Sequence, residues 1–473
     1  MFISRRFGVR PNDPTFTADK LREGLRAPPP IEPLLPRKGW KAAPEVEALS
    51  ETGERTRQAA PTRGGDLASR WVQMEKELPE EERPQLQSWL QLELSPAHDL
   101  DYWWDAVANA ASARVIYERP LAVPSPMVAA ERAVEPQIQN LDTILGKRGR
   151  EHARSVSGRT YLSVLEGGWN LRHPALRRGS TAVAGRVGGQ PFPQLSAHGD
   201  ATLGVLAGQP FHGLEPGILP DATIRLYGSI DPRGLEAAVG GVCAAIAAHR
   251  PNGKAGTRSP HVLLVEAQAQ FMSRFRGSSP LAFVLAPVEV DPAVHAAFRV
   301  ATRHGITVVE PAGNGGVDLG ATVIDAFGGA LRDVAKSAQP LLDDDDCGAI
   351  RVGAAWRGPK GNGPWQRYPT SNYGKPVHVW AWGAGVQTAS MHWNVRRSQW
   401  QSTTNPFMHT SAAAAIVAGM VAAAQAARLD AGKLPLAPVR LRTLLQSAAD
   451  PGDGDIPLQP DLGKFIDVVV ADP

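Results

Sequence analysis

From about Pro136 onward the chain predicts an α/β fold whose largely parallel sheet is covered by helices on both faces. Two observations carry that prediction. Short, continuously apolar runs alternate with helical stretches, the pattern of strands buried on both sides. The chain is also long enough, at 473 residues, and apolar enough, at 43% hydrophobic, to bury a sizeable core beside flanking parts.

In chain order, residues 1–66 are rich in Pro, Arg, Gly and Thr, include Pro28-Pro-Pro30 and hold no sustained apolar period, so they read as a flexible arm without a fold. Residues 67–125 read as a separate α+β segment. Leu67, Trp71, Met74 and Leu78, then Leu86, Trp89, Leu90 and Leu92, predict helix on both sides of a break at Pro79. A further helix is expected over Asp99 to Ala111 and a strand over Ala113 to Glu118, closed by Pro120. Residues 136–473 form the main domain. Strands are expected at Ala222–Tyr227, Val262–Val265, Ala282–Leu285, Ile306–Val309 and Ile350–Ala354, and helices at Gly234–His249, Val294–His304 and Ser411–Ala427. No internal repeat is evident.

Composition excludes several roles. Lys and Arg exceed Asp and Glu by a net charge of only +3, and no basic stripe interleaved with aromatics tracks a phosphate backbone, so nucleic acid is not an expected partner. Met1 to Arg10 lacks the apolar core of a signal peptide, which predicts a protein cytoplasmic at synthesis, with signal-independent export left open. No later run is expected to span a membrane. Cys243 and Cys347 are too few for a disulfide framework and read as free thiols.

Four segments carry chemistry. Asn405 to Gly419 places Ser411 after Thr410 at the start of a small-residue helix, where the hydroxyl stands exposed at the turn and the unpaired N–H groups of the first turn can meet an oxyanion. Ser196 to Gly208 sets His198 just before a helix of small and aliphatic residues, aimed at a cleft. Arg159 to Leu176 is a buried-strand run that ends in one carboxylate, Glu166, followed by glycines. His304 to Gly316 is an apolar strand that opens into a glycine-rich turn with one amide side chain, Asn314.

Together these segments resemble subtilisin-like serine proteases. The family's serine motif, Gly-Thr-Ser-x-Ala-Ser-Pro-x-Val-Ala-Gly, is matched at Thr410, Ser411, Ala413, Val417, Ala418 and Gly419, with His409 where the family has Gly and Ala414-Ala415 where it has Ser-Pro. Its histidine motif is matched at His198, Gly199 and Gly204, with Asp200 in place of Thr. Gly168, His173, Pro174 and Leu176 match the acid segment, and Glu166 falls on the position of the catalytic aspartate, as in a bacterial branch with a Glu-x-Gly-Trp-Asn-Leu sequence. Gly217 to Ala222 and Ser371-Asn-Tyr-Gly374 are similar to two further family turns.

The resemblance implies a subtilisin-like, doubly wound sheet and an endopeptidase acting on protein or peptide substrates. Glu166, His198 and Ser411 would be its triad and Asn314 its oxyanion donor. His198 and Asn314 set the chain apart from the sedolisin branch, which uses Glu, Asp and Ser with an aspartate at the oxyanion position. Residues 67–125 resemble, in pattern and place, an inhibitory propeptide acting in cis. No cofactor is required. A structural Ca²⁺ at Asp343 to Asp346 is not assigned, since four consecutive acids read as a solvated loop. Glu266 stands where the family lines its substrate channel, so it is read either as an acid favouring basic substrate side chains or as a Glu held by local hydrogen bonds. Asp200 reads as a helix cap. The departures at His409 and Glu166 support a competing reading, a catalytically weak relative that binds peptides.

Overall fold

A computed structural model describes residues 139–473 apart from 170–172, 177–192, 212, 229–235, 250–260, 274–281, 321–345, 395–398 and 452–457. Before residue 139 it describes 5–35 (except 12, 14, 26–27 and 34), 48–49, 55–56, 67–94, 113–118 and 121–124. The helix expected over Asp99 to Ala111 lies outside the described residues.

The first hundred or so residues hold more order than their composition suggests. β1 (Arg5–Pro11), α1 (Ala18–Gly24), β2 (Ile31–Pro33) and the short β3 (Ala48–Leu49) and β4 (Arg55–Thr56) all fall within the stretch expected to be a flexible arm. α2 (Leu67–Glu77) follows as expected, but Leu86 to Leu92 is not a second helix: a single 3₁₀ turn leads into β5 (Leu90–Leu94). β5 and β6 (Ala113–Glu118) close an antiparallel sheet in the order β2-β5-β1-β6. The apolar residues of 86–92 alternate at their end with Gln91 and Glu93, a period of two that serves strand pairing with β1. β7 (Leu121–Pro124) lies outside that sheet.

The main domain begins with α3 (Leu141–Leu145) and α4 (Lys147–Val156), then alternates β8 (Tyr161–Glu166), α5 (Pro193–Ala207), β9 (Thr223–Gly228), α6 (Glu236–His249) and β10 (His261–Val265). A hairpin of β11 (Ala267–Ser273) and β12 (Ala282–Pro287) precedes α7 (Pro292–Arg303), β13 (Ile306–Pro311), β14 (Ile350–Trp356), β15 (Gln366–Arg367) and β16 (Val379–Trp382). β17 (Val386–Asn394) and β18 (Gln399–Phe407) form a second hairpin that leads into α8 (His409–Asp430). α9 (Pro438–Ser447), the β19 (Ala449–Pro451) and β20 (Leu458–Pro460) pair, and α10 (Leu462–Ala471) complete the chain.

The seven-stranded sheet runs β15-β14-β13-β10-β8-β9, with β16 also on β14, and every pair is parallel except β14 with β15. Ala282–Leu285, expected in this sheet, belongs instead to a three-stranded antiparallel sheet β12-β11-β7. The run turns back on β11 directly, and a hairpin connection imposes antiparallel pairing.

Two apolar layers cover the sheet. α8 sits in the larger one with Leu162, Val164, Leu264 and Val309. α2, α6 and α7 pack through Trp71, Met74, Val242 and Phe298 against the opposite face, with Leu165, Leu263 and Val308. The alternation along β8, β10 and β13 assigns each residue to its layer. α8 is long and apolar enough, by length and composition, to cross a membrane, contrary to the sequence reading, but 94% of its apolar window is buried within the fold. It is the central core helix of that face.

In the spatial order β9-β8-β10-β13-β14 the chain starts at β8, inside the sheet, moves to the edge strand β9 and returns to β10 on the other side of β8. The reversal point lies between β8 and β10. In open α/β sheets the crevice beyond the carboxyl ends of the strands at such a point is where ligands bind. Glu166 is the last residue of β8 and Glu266 follows the last residue of β10.

Candidate active site

The carboxyl end of β8 delivers Glu166, fully buried, into the layer shared with Val164. Its Oε1 accepts from the backbone N–H of Gly167 at 2.6 Å, and its Oε2 lies 2.6 Å from His198 Nδ1. His198 does not precede its helix: α5 begins at Pro193, so the ring projects from the second turn. Asp200, also buried inside this helix, is therefore not a cap. Gly199 makes the approach possible, because a Cβ there would collide with the Gly168 carbonyl oxygen and crowd the Glu166 side chain. Gly204 serves the other side of the helix, where α5 packs on β17 and Thr388 Oγ1 donates to Ala201 O at 2.7 Å. Phe407 meets the His198 ring edge to face, with centroids 5.1 Å apart.

Ser411 occupies the first turn of α8, but it is buried rather than exposed, and its Oγ makes no hydrogen bond of normal geometry. Asn314 lies beyond the end of β13, in a loop that turns through Gly313 at φ 92°. Its Oδ1 accepts from both Thr410 N (3.1 Å) and Thr410 Oγ1 (2.7 Å). An amide oxygen that takes two donors fixes the orientation of the group and turns the NH₂ away from Thr410. The backbone N–H of Asn314 is held by Gln268 Oε1 at 2.9 Å, and Asn372 Nδ2 donates to Ala312 O and Leu285 O. The Ser371-Asn372 turn is thus the support of the Asn314 loop, a role its sequence motif did not reveal.

His409 begins α8 with φ 69°, a conformation that costs a non-glycine residue about 1 to 3 kcal/mol unless its surroundings hold it. They do hold it. His409 Nδ1 is 2.7 Å from Thr370 Oγ1, Tyr368 packs edge to face on the ring at 5.2 Å, and the backbone N–H donates to Gly383 O at 2.8 Å. Burial, and secondarily the neighbouring His198, depress its pKa to about 4, so it stays uncharged near neutrality.

Glu266 is fully buried, and its carboxyl oxygens make no hydrogen bond of normal geometry, although the Ser411 hydroxyl lies beside them. It lies with Glu166 and His198, one potential ligand atom from each falling within 4.8 Å of the others. Burial first, then the Glu166 charge, push its pKa well above the ordinary carboxyl value, and the nearby Ser411 hydroxyl opposes this only in part.

Among the described residues, two groups of side chains have the composition of a metal site, the one just described and Glu289, His295 and Cys347. In the second, Arg351 Nε sits 3.1 Å from Glu289 Oε1 and already supplies the positive charge. Cys243 and Cys347 are both free and buried. Of the acidic run, Asp343 to Asp345 lie outside the described residues, while Asp346 is exposed and paired with Arg442.

Residues 275–462 match the family model described as Peptidase_S8, the subtilase family. That stretch contains Asn314 and Ser411 but begins after Glu166 and His198. No curated protein matches the chain. Among solved structures, fervidolysin from Fervidobacterium pennivorans, described as a keratinolytic enzyme related to subtilisin, is 17% identical with a TM-score of 0.55, the match covering 100% of this chain and 61% of that one. The protease domain of PatA is 17% identical with a TM-score of 0.46, covering 67% of this chain and 97% of that one. The A-subunit of the AB5 toxin from E. coli gives 17% and 0.46, covering 68% and 98%. The fold of this chain is subtilisin-like.

Proposed function

We propose that this chain is a serine endopeptidase in which Glu166, His198 and Ser411 act as one catalytic unit and Asn314 serves the oxyanion. The observation that carries the reading is the 2.6 Å contact between Glu166 Oε2 and His198 Nδ1 at the sheet's reversal point, on the side where α8 presents Ser411. With its Nδ1 proton held by Glu166, neutral His198 keeps a basic lone pair on Nε2. In the proposed acylation, His198 Nε2 takes the Ser411 proton as Oγ bonds to the peptide carbonyl carbon and the carbonyl π electrons move onto oxygen. Glu166 stabilises the imidazolium, which then returns the proton to the leaving amine. The Asn314 amide and the Ser411 backbone N–H are the donors to the oxyanion, and one such donor contributes about 3 to 4 kcal/mol. The subtilase match over residues 275–462 supports the same reading, as does the turn of Asn314's NH₂ away from Thr410. No cofactor takes part in this scheme.

A fluorophosphonate probe tests it: covalent mass at Ser411 is expected, and folded protein that never labels would establish the second reading, a peptide-binding relative. That alternative draws on the buried Ser411 hydroxyl, which makes no hydrogen bond of normal geometry.

Residues 67–125 fit the role of an inhibitory propeptide in cis. β7 pairs antiparallel with β11, Ala267 opposite Pro124 through Gln270 opposite Leu121, so the exit from the N-terminal part lies along the strand that begins one residue after Glu266. α2 seats the segment on the far layer, where His304 Nε2 meets Met74 O at 3.0 Å. Maturation should cut between Glu118 and Gln137. Intact-mass analysis of the wild type against Ser411→Ala reads this directly, and an active enzyme that stays full length would remove the maturation step while leaving the hydrolase reading intact.

His409 should make the enzyme selective. His409→Gly relieves the positive-φ strain and removes a ring from beside the nucleophile, so generic peptides are expected to be cleaved several-fold faster. Slower cleavage, measured as kcat/KM on an unselective peptide mixture, would show that the ring's packing on Tyr368 and Thr370 matters more than the strain.

A further inference from the structure

The sheet register sets a second acid beside the first. β8 and β10 pair in parallel with Leu165 opposite Val265, and the backbone N–H of Glu266 donates to Leu165 O at 2.8 Å. Glu166 and Glu266 therefore leave neighbouring strands side by side, on the face that Val164 and Leu264 share with α8. Sealed from solvent, the Glu266 carboxyl lies against Ser411 and among Glu166 and His198. The groups that face it are Glu166 from β8, His198 from α5 and Ser411 from α8, with His409 next to His198 at the head of α8.

We infer that Glu266 is a further catalytic residue of this site, a neutral carboxyl whose O–H donates to Ser411 Oγ and so directs the serine's own proton toward His198. The inference rests on the hydrolase reading above. In the reacting complex the Ser411 O–H bond breaks, its proton passes to His198 Nε2, and the Oγ electron pair forms the bond to the carbonyl carbon. The Glu266 proton stays where it is throughout. It matters because a second carboxylate beside Glu166 would set two like charges behind the nucleophile and repel the oxyanion as it forms. Enclosure and the Glu166 charge both hold Glu266 in its neutral form well above the ordinary carboxyl range. The site therefore loses activity on the alkaline side, as Glu266 gives up its proton.

The experiment compares the full chain with Glu266→Gln and Glu266→Asp, following kcat/KM and the rate of fluorophosphonate labelling across pH. Glu266→Gln replaces the O–H donor with a weaker amide N–H, so it should lower kcat/KM several-fold near neutrality and should abolish the alkaline limb because an amide does not titrate there. Glu266→Asp should retain a limb, since it keeps a titrating carboxyl. A second readout needs no turnover: in a Ser411→Ala background, the infrared C=O band of protonated carboxyls at neutral pH, to which buried Glu310 also contributes, should lose one component on Glu266→Gln, and an unchanged spectrum overturns the inference. A wild type that labels at Ser411 but whose pH profile is unaltered by Glu266→Gln overturns the role of Glu266 alone. A wild type that never labels overturns the hydrolase reading and this role together.

Discussion

Ser411→Ala is expected to eliminate peptide-bond hydrolysis and probe labelling, with turnover falling by about 10⁶, while the melting temperature holds or rises. The two halves of this result have separate physical causes. Chemistry is lost because the proposed unit acts together, so removal of its nucleophile leaves only what binding and oxyanion donors contribute. Stability is kept because the hydroxyl is buried without a hydrogen bond of normal geometry, an arrangement that costs a folded protein about 1 to 3 kcal/mol, and alanine fits the same space in the first turn of α8. Calorimetry and a fluorogenic peptide assay on the same preparation measure both. Wild-type turnover in purified Ser411→Ala would show that the nucleophile lies elsewhere. A large drop in melting temperature would show that the Oγ makes a contact important to the fold.

Glu166→Gln is expected to cost up to about 10⁴ in turnover at nearly unchanged side-chain volume. Glu166 Oε2 meets His198 Nδ1 at 2.6 Å, and the amide can present an NH₂ to that nitrogen, which favours the tautomer with its proton on Nε2 and removes the base. The second anchor, Gly167 N–H on Oε1, keeps the group in place, so the loss reports tautomer and charge rather than position. Asp200→Asn is the matched control, because Asp200 sits two residues after His198 in α5 and is equally buried. Near-normal turnover in Glu166→Gln with collapse in Asp200→Asn would transfer the orienting role to Asp200.

Much of the site was legible because its parts are local signals at element ends. An apolar run that ends in Glu166 before glycines, another that opens into Ala312-Gly313-Asn314, and Thr410-Ser411 before an alanine-rich stretch can each be read from neighbouring residues alone. Glu266 is visible in the same way, as the acid that follows Val262 to Val265, but its burial beside Glu166 is not. The missing information was that β8 and β10 are neighbours, a consequence of the chain's return across β8, and no local pattern encodes strand order.

The same limit explains the other differences. The run Ala282–Leu285 has the apolar character of a buried strand in either sheet, and only its hairpin with β11 excludes it from the parallel one. Residues 5–11 and 31–33 lack a strong period of their own and become strands through partners at 90–94 and 113–118. Ser411 is expected at an exposed helix start, but that start is buried, with the Asn314 loop against it through the Asn314 Oδ1 contact to Thr410 N.

By itself, the sequence determined the alternation that makes this chain α/β and the residue types at the ends of its strands and helices, because periodicity and turn chemistry act over a few residues. Tertiary structure alone decided which of those ends meet. Strand order set Glu166 beside Glu266, the packing of α5 through Gly199 brought His198 onto Glu166, and burial of the whole group made one acid a partner of the imidazole and pushed the pKa of the other well up. Protonation follows from the electrostatic environment, and that environment exists only once distant segments have been brought together and water has been excluded.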